Sequence, residues 1–107
     1  MTKGSRLEAL KAMVAKMPDD PRARYFLAHE LFRIEAFPEA AAQYEAYVAL
    51  APGDEGAALK SLGLCRERTG ERAAAADAYR RGIDVALANG HDGLAAEIRF
   101  LLDALDD

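Results

Sequence analysis

The sequence repeats itself. The stretch from Leu27, LAHELFRIEAFPEAAAQYEAYVAL, lies over LGLCRERTGERAAAADAYRRGIDVA from Leu62, so that Leu27 meets Leu62, Ala28 meets Gly63, Ala40 meets Ala75 and Tyr44 meets Tyr79. Each of these steps is 35 residues (79 − 44). Upstream, Leu10 leads to Tyr44 and Pro18 to Pro52, both at a step of 34, so the first stretch reads as the second half of a unit whose first half is missing. A period of this length is one supersecondary unit that cannot bury its own apolar face, so neighbouring units must stack.

Apolar residues recur at helical spacing within the repeat, and stop signals divide the chain into six helices with no strand pattern. The first is expected over 7–16, with Leu7, Leu10, Val14 and Met17 on one face and Ser5 as its N-cap. Pro18-Asp19-Asp20-Pro21 ends it and starts the second, over 21–35: Asp20 suits an N-cap, and Pro21 the first helical position, where a missing N–H costs nothing. The second helix has Leu27, Ala28, Leu31 and Ile34 as its core stripe. The third is expected over 38–50, stopped by Pro52-Gly53, and Asp54 is read as the cap of the fourth, over 55–69. Gly70 supplies a left-handed stop, and a fifth helix over 71–88 closes at Asn89-Gly90. The sixth, over 93–104, carries Leu94, Ile98, Leu101, Leu102 and Leu105 on one side.

One stretch in each unit asks for a special explanation. Ala40-Ala41-Ala42 and Ala73 to Ala76 stand one turn before Tyr44 and Tyr79, opposite Ala28 and Gly63. Small side chains at a helix crossing let the axes approach toward the short end of the ~8–10 Å range, and a tyrosine then fills the gap where the helices diverge. The competing reading takes the alanines as good helix formers on an exposed face; their recurrence beside an aromatic favours close packing.

These features together resemble the tetratricopeptide repeat family, a 34-residue helix–turn–helix with a small residue after a leucine, an alanine four before an aromatic, and a closing proline. The first unit offers Leu27-Ala28, Ala40, Tyr44 and Pro52; the second offers Leu59, Leu62-Gly63, Ala75 and Tyr79. The resemblance covers about 7–88. It departs from the pattern at Arg24 and Arg66, where large apolar or aromatic residues are favoured, and at Leu87, in place of the second proline. The resemblance implies an all-α, right-handed solenoid of antiparallel helix pairs in a single domain. Residues 5–18 form a half-repeat helix, 21–52 and 54–89 two full repeats, and 92–105 a capping helix.

Composition excludes several functions. The 107 residues carry a net charge of −4, which argues against a phosphate-binding surface and, with the repeat, disfavours a helix-turn-helix nucleic-acid binder. The acidity gathers at the end, where Asp92, Glu97, Asp103, Asp106 and Asp107 face only Arg99. Cys65 is the sole cysteine, so no intrachain disulfide forms and a reducing, cytoplasmic setting is expected. No stretch reads as an export signal or membrane span. Ten arginines against four lysines, among many alanines, point to a GC-rich bacterial genome.

Reactive groups do not converge. His29-Glu30 lacks the second histidine of a zinc helix, His91 sits in a turn, Ser5 and Ser61 lack a nucleophile elbow, and Gly53-Asp54-Glu55-Gly56 has no lysine to meet a phosphate. Cys65 reads as a buried, inert thiol. No enzyme, metal or cofactor is expected, and binding of another protein is the remaining role.

The family's concave side, lined by the first helix of each unit, holds peptides or partner helices, which places Arg22, Tyr25, His29, Phe32 and Arg33 with Lys60, Leu64 and Arg68 in a groove. Its arginines, opposed only by Glu67, and its aromatic anchors suit a partner segment bearing acidic and apolar residues. The alternative is self-association, as a monomer–weak-homodimer equilibrium, through the apolar face of Leu7, Leu10, Met13, Val14 and Met17.

Overall fold

The computed structural model describes residues 3–50, 53 and 55–106, apart from the side chains of residues 3–5. Six helices follow in order: α1 (Lys3–Lys16), α2 (Pro21–Arg33), α3 (Phe37–Leu50), α4 (Gly56–Arg68), α5 (Arg72–Ala88) and α6 (Asp92–Ala104). Each packs against the next, and no strand occurs among the described residues. The molecule measures 39 × 28 × 21 Å, the proportions of a short stack.

Helix ends follow the chemistry of their residues. Asp20, in extended conformation, accepts a hydrogen bond from the Arg22 backbone N–H at 2.9 Å, and Pro21 occupies the first turn. That bond, and the Arg22 side chain after it, hold the Asp20 carboxyl below its ordinary value. Ser5 does not cap α1: its backbone lies inside the helix, which begins at Lys3, and its side chain is outside the described residues. Pro52 and Asp54, read as a stop and a cap, also lie outside them.

Three turns share one geometry. After α4, Gly70 adopts φ +77° and Glu71 N–H reaches back to Arg66 C=O at 2.8 Å; after α5, Gly90 adopts φ +74° and His91 N–H reaches Ala86 C=O at 2.8 Å. These are Schellman endings, which satisfy carbonyls the helix leaves open. After α2 the same bond runs from Ala36 N–H to Leu31 C=O, but the left-handed residue is Glu35 at φ +62°. That residue stops α2 at Arg33, two residues before the expected end. A side chain in this conformation costs about 1–2 kcal/mol, against roughly 0.5–1 kcal/mol for the extra unfolded-state freedom of glycine. Glu35→Gly should therefore raise stability by about 0.5–1 kcal/mol in urea unfolding; a midpoint at or below wild type would contradict the strain.

The interior is built from small residues and two tyrosines. Ala28, Ala40, Ala41 and Tyr44 are buried in the first unit, and Gly63, Ala75 and Tyr79 in the second. Close packing explains only part of each alanine run, because Ala42, Ala73 and Ala74 are exposed and serve as helix formers. A side chain at Gly63 would collide with the Tyr79 ring, so glycine is what allows α4 and α5 their approach. Arg24, in place of an apolar residue, donates to Pro18 C=O and to Gln43 Oε1, both at 3.0 Å, tying the α1–α2 turn to α3. Without the second proline, α5 runs 17 residues against 14 described for α3.

The apolar face of α1 is largely covered. Val14 is buried, Leu7, Leu10 and Met13 pack half-buried against the core, and Met17 is exposed.

Candidate functional site

The ends of α2 and α4 and the turn into α3 enclose an open pocket of about 540 Å³, lined by His29, Phe32, Arg33, Glu35, Phe37 and Arg68. Its floor is aromatic: the Phe32 and Phe37 rings meet edge to face, centroids 5.4 Å apart at 84°. Neither ring is fully buried. An edge-to-face pair at a pocket floor leaves apolar surface that a guest side chain can cover.

The pocket's two arginines are held differently. Arg33 is gripped by Glu30, with Nε donating to Oε1 at 3.2 Å and Nη2 to Oε2 at 2.5 Å. Glu30 is only 3% exposed, and Arg6 from α1 also reaches its Oε1, at 3.1 Å. The hydrogen bonds from Arg33 to Glu30, and then the opposite charge, push the guanidinium above its usual range and keep it protonated. Arg68 instead lies over the Phe37 ring, 5.3 Å from its centroid. No carboxylate among the described residues pairs with it, so its N–H groups remain available to an anion.

Of the eight residues expected to form the groove, His29, Phe32, Arg33 and Arg68 come together here. Tyr25 does not: it is drawn beneath the face, against Tyr47 at 5.1 Å and Tyr44 at 6.3 Å, while its ring stacks with His29. Arg22 turns back to Asp20, Lys60 pairs with Glu97 on α6, and Leu64 is half-buried on α4 outside the pocket. Glu67 was expected to be the sole opposing charge. Glu35 lines the same pocket, Glu97 neutralises Lys60, and Glu67 itself accepts the Tyr79 hydroxyl.

Glu35, Phe37 and the clamp at Glu30 were not anticipated. Phe37 sits just before Pro38, where a helix start conceals that its side chain folds back onto Phe32. Glu30 carried no signal beyond its spacing of three from Arg33.

Cys65 is fully buried, and burial pushes its thiol up to about 11, so it stays protonated at neutral pH. Among the described residues no three metal-ligating side chains are placed to hold an ion, and no helix is long and apolar enough to cross a membrane.

The fold recurs in solved structures. PcrH, solved in complex with the chaperone binding region of PopD, superposes with a TM-score of 0.84 at 17% identity, over 94% of this chain and 75% of that one. The fold is tetratricopeptide-like. Protein BPP2914 from Bordetella parapertussis matches with a TM-score of 0.77 at 28% identity, over 94% of this chain and 86% of that one. MamA matches with a TM-score of 0.68 at 24% identity, over 92% of this chain and 64% of that one. No family model matches the sequence, and no curated protein is significantly similar to it. The pocket lies where α2 and α4 both end.

Proposed function

We propose that the chain is a protein-interaction module, an adaptor or assembly part, that holds a segment of a partner protein on the face shared by α2 and α4. The observation that carries this reading is the Phe32–Phe37 pocket with Arg68 over the Phe37 ring and no carboxylate partner among the described residues. An aromatic floor rewards an apolar side chain, and a guanidinium so placed rewards a carboxylate beside it. The partner segment is therefore peptide or helix, acidic and apolar in composition. That PcrH was solved with a region of PopD supports the view that a fold of this shape grips a piece of another chain. Recognition is non-covalent and needs no cofactor. A cytoplasmic setting suits the buried thiol of Cys65.

The test uses Phe32→Ala combined with Arg68→Glu. Proteins retained from the source cell by the wild-type chain should bind the double variant at least about tenfold more weakly, because a central anchor and its charge partner are both removed. Circular dichroism should show the variant still folded. Retention equal to wild type would place the interaction elsewhere on the molecule. Tyr25 is a poor choice for such a variant, because its ring supports Tyr44 and Tyr47.

A further inference from the structure

The apolar face of α1, where self-association was expected, is largely covered, whereas α6 keeps an apolar face in the open. The inner side of α6 is spent on the core: Ala95 and Ile98 are buried, and Leu94, Leu101, Leu102 and Leu105 pack half-buried beside them. On the opposite side Gly93, Ala96, Phe100 and Ala104, at steps of three, four and four, form a second apolar stripe, and all four are exposed. At ~3.6 residues per turn they fall within about 80° of one another. Phe100 is 74% exposed, more than any other large apolar side chain among those described. Gly93 belongs to the same pattern. It has no positive φ, and a side chain there would meet nothing within 4 Å, so nothing in its own chain calls for glycine. A helix apolar on two opposed sides is one that is covered on both.

We infer that this stripe is the contact between two copies of the chain, formed by α6 packing antiparallel on α6 of a second copy with Phe100 at the centre. A phenylalanine that seats on a helix needs small residues around the spot it covers, and α6 supplies both the knob and the hollow. With Phe100 on the two-fold axis, Ala96 lies opposite Ala104 of the second copy, each being four residues from the centre (100 − 96 and 104 − 100). Charge selects a second copy as occupant and antiparallel as direction. Arg99 and Asp103 stand one turn apart on the same edge of the stripe, and neither is in an ion pair among the described residues. Arg99 shares a shallow pocket with Arg80 and Asp84 of α5 and pairs with neither. Antiparallel packing brings Arg99 of each copy to within about 3 Å, measured along the axis, of Asp103 of the other, giving two reciprocal pairs. Parallel packing would instead set arginine on arginine and aspartate on aspartate. Glu97, on the other edge, keeps its partner Lys60. At the rim Asp106 of one copy comes beside Asp92 of the other, a repulsion that salt screens. So short a contact buries well under the ~800 Å² per partner of a standard interface, so the dimer is weak, with a dissociation constant on the order of tens of micromolar. It uses no residue of the Phe32–Phe37 pocket, and the dimer therefore carries two such pockets.

Sedimentation velocity of the full chain from about 10 µM to about 1 mM, at about 150 mM salt, should show monomer giving way to dimer. Phe100→Ser should remain monomeric over the same range, and at the lowest concentration its melting curve should match wild type, because the side chain it replaces packs on nothing within its own copy. Arg99→Asp and Asp103→Arg should each weaken the dimer severalfold alone, since each sets like charges against each other across the axis. An equimolar mixture of these two variants should associate at least as tightly as wild type, because every facing pair is then opposite in charge. A purely structural effect of either substitution on its own helix would give no such rescue in trans. A wild type that stays monomeric at every concentration overturns the inference and leaves the stripe to a foreign helix. A dimer that Phe100→Ser leaves intact lies elsewhere on the molecule and overturns it too, and failure of the mixed variants to associate rejects the antiparallel pairing. None of these outcomes bears on the pocket, which Phe32→Ala with Arg68→Glu tests through partner retention.

Discussion

Gly63→Ala should destabilise the protein by about 2 kcal/mol, lowering its melting temperature by roughly 10 °C. The added methyl would stand 2.8 Å or less from three atoms of the Tyr79 ring, a separation that real side chains do not tolerate. The ring has little room to yield, because Tyr79 is completely buried and its hydroxyl is held by Glu67. Overpacking of this kind costs ~1–3 kcal/mol or more, and the better helix propensity of alanine offsets ~1 kcal/mol of it. The first unit already makes this substitution: Ala28 occupies the position of Gly63, and both Ala28 and Tyr44 are buried. The two units therefore differ in how closely their helices meet. Thermal unfolding followed at 222 nm is the measurement, and a double-mutant cycle with Tyr79→Leu locates the cause. In that background Gly63→Ala should cost much less, since the obstructing ring is gone. A single variant melting within about 2 °C of wild type would mean that the α4–α5 contact adapts, and that glycine is not what sets it.

Alkali should unfold the protein through its two core tyrosines. Burial raises Tyr44 to about 12, with the hydrogen bond from Ser61 working the other way. Burial also raises Tyr79, and Glu67 adds to it by accepting a hydrogen bond from the neutral hydroxyl and by its negative charge. In the unfolded chain both ionise near 10.0. Below that pH both tyrosines keep their protons in either state, and their contribution to stability is fully present. Above it the unfolded chain releases protons that the native state retains, so stability falls as pH rises through the folded values. The slope reaches about 1.4 kcal/mol per pH unit for each tyrosine. Urea midpoints should begin to fall above pH 9, where the unfolded chain ionises Cys65 and the buried thiol does not, and drop more steeply between pH 10 and pH 12 as the tyrosines join. Tyr44→Phe, which keeps the ring and removes the ionisable group, should flatten the decline between these values. An unchanged decline in that variant would assign alkaline unfolding to other groups.

Arg33 shows where sequence reasoning reached and where it stopped. Helical spacing put it on the same flank as His29 and Phe32, and all three line the pocket. The same spacing put Tyr25 there too, yet its ring is half-buried against α3, because a residue's angle on its own helix does not say how closely the next helix covers it. Lys60 and Arg22 fell on that flank as well, but each found a carboxylate within reach, one across to α6 and one in its own first turn. Phe37 was missed for the opposite reason. It lies across a turn from Phe32, and the turn's direction depends on a left-handed Glu35, a conformation that glycine signals and glutamate conceals.

What the sequence determined by itself is the stack: a 35-residue period, small residues one turn from a tyrosine, and helix stops at proline and glycine are local and repeated, so the same packing is stated twice, once in each unit. What only the tertiary structure decided is which side chains share a pocket. That choice depends on distances between residues far apart in the chain, such as Arg68 over Phe37 and Glu30 between Arg6 and Arg33, and on side-chain directions that a small change in helix crossing redirects. The period fixes the backbone's course, whereas the charges and rings on its flank are not repeated from unit to unit, and their arrangement follows from contact alone.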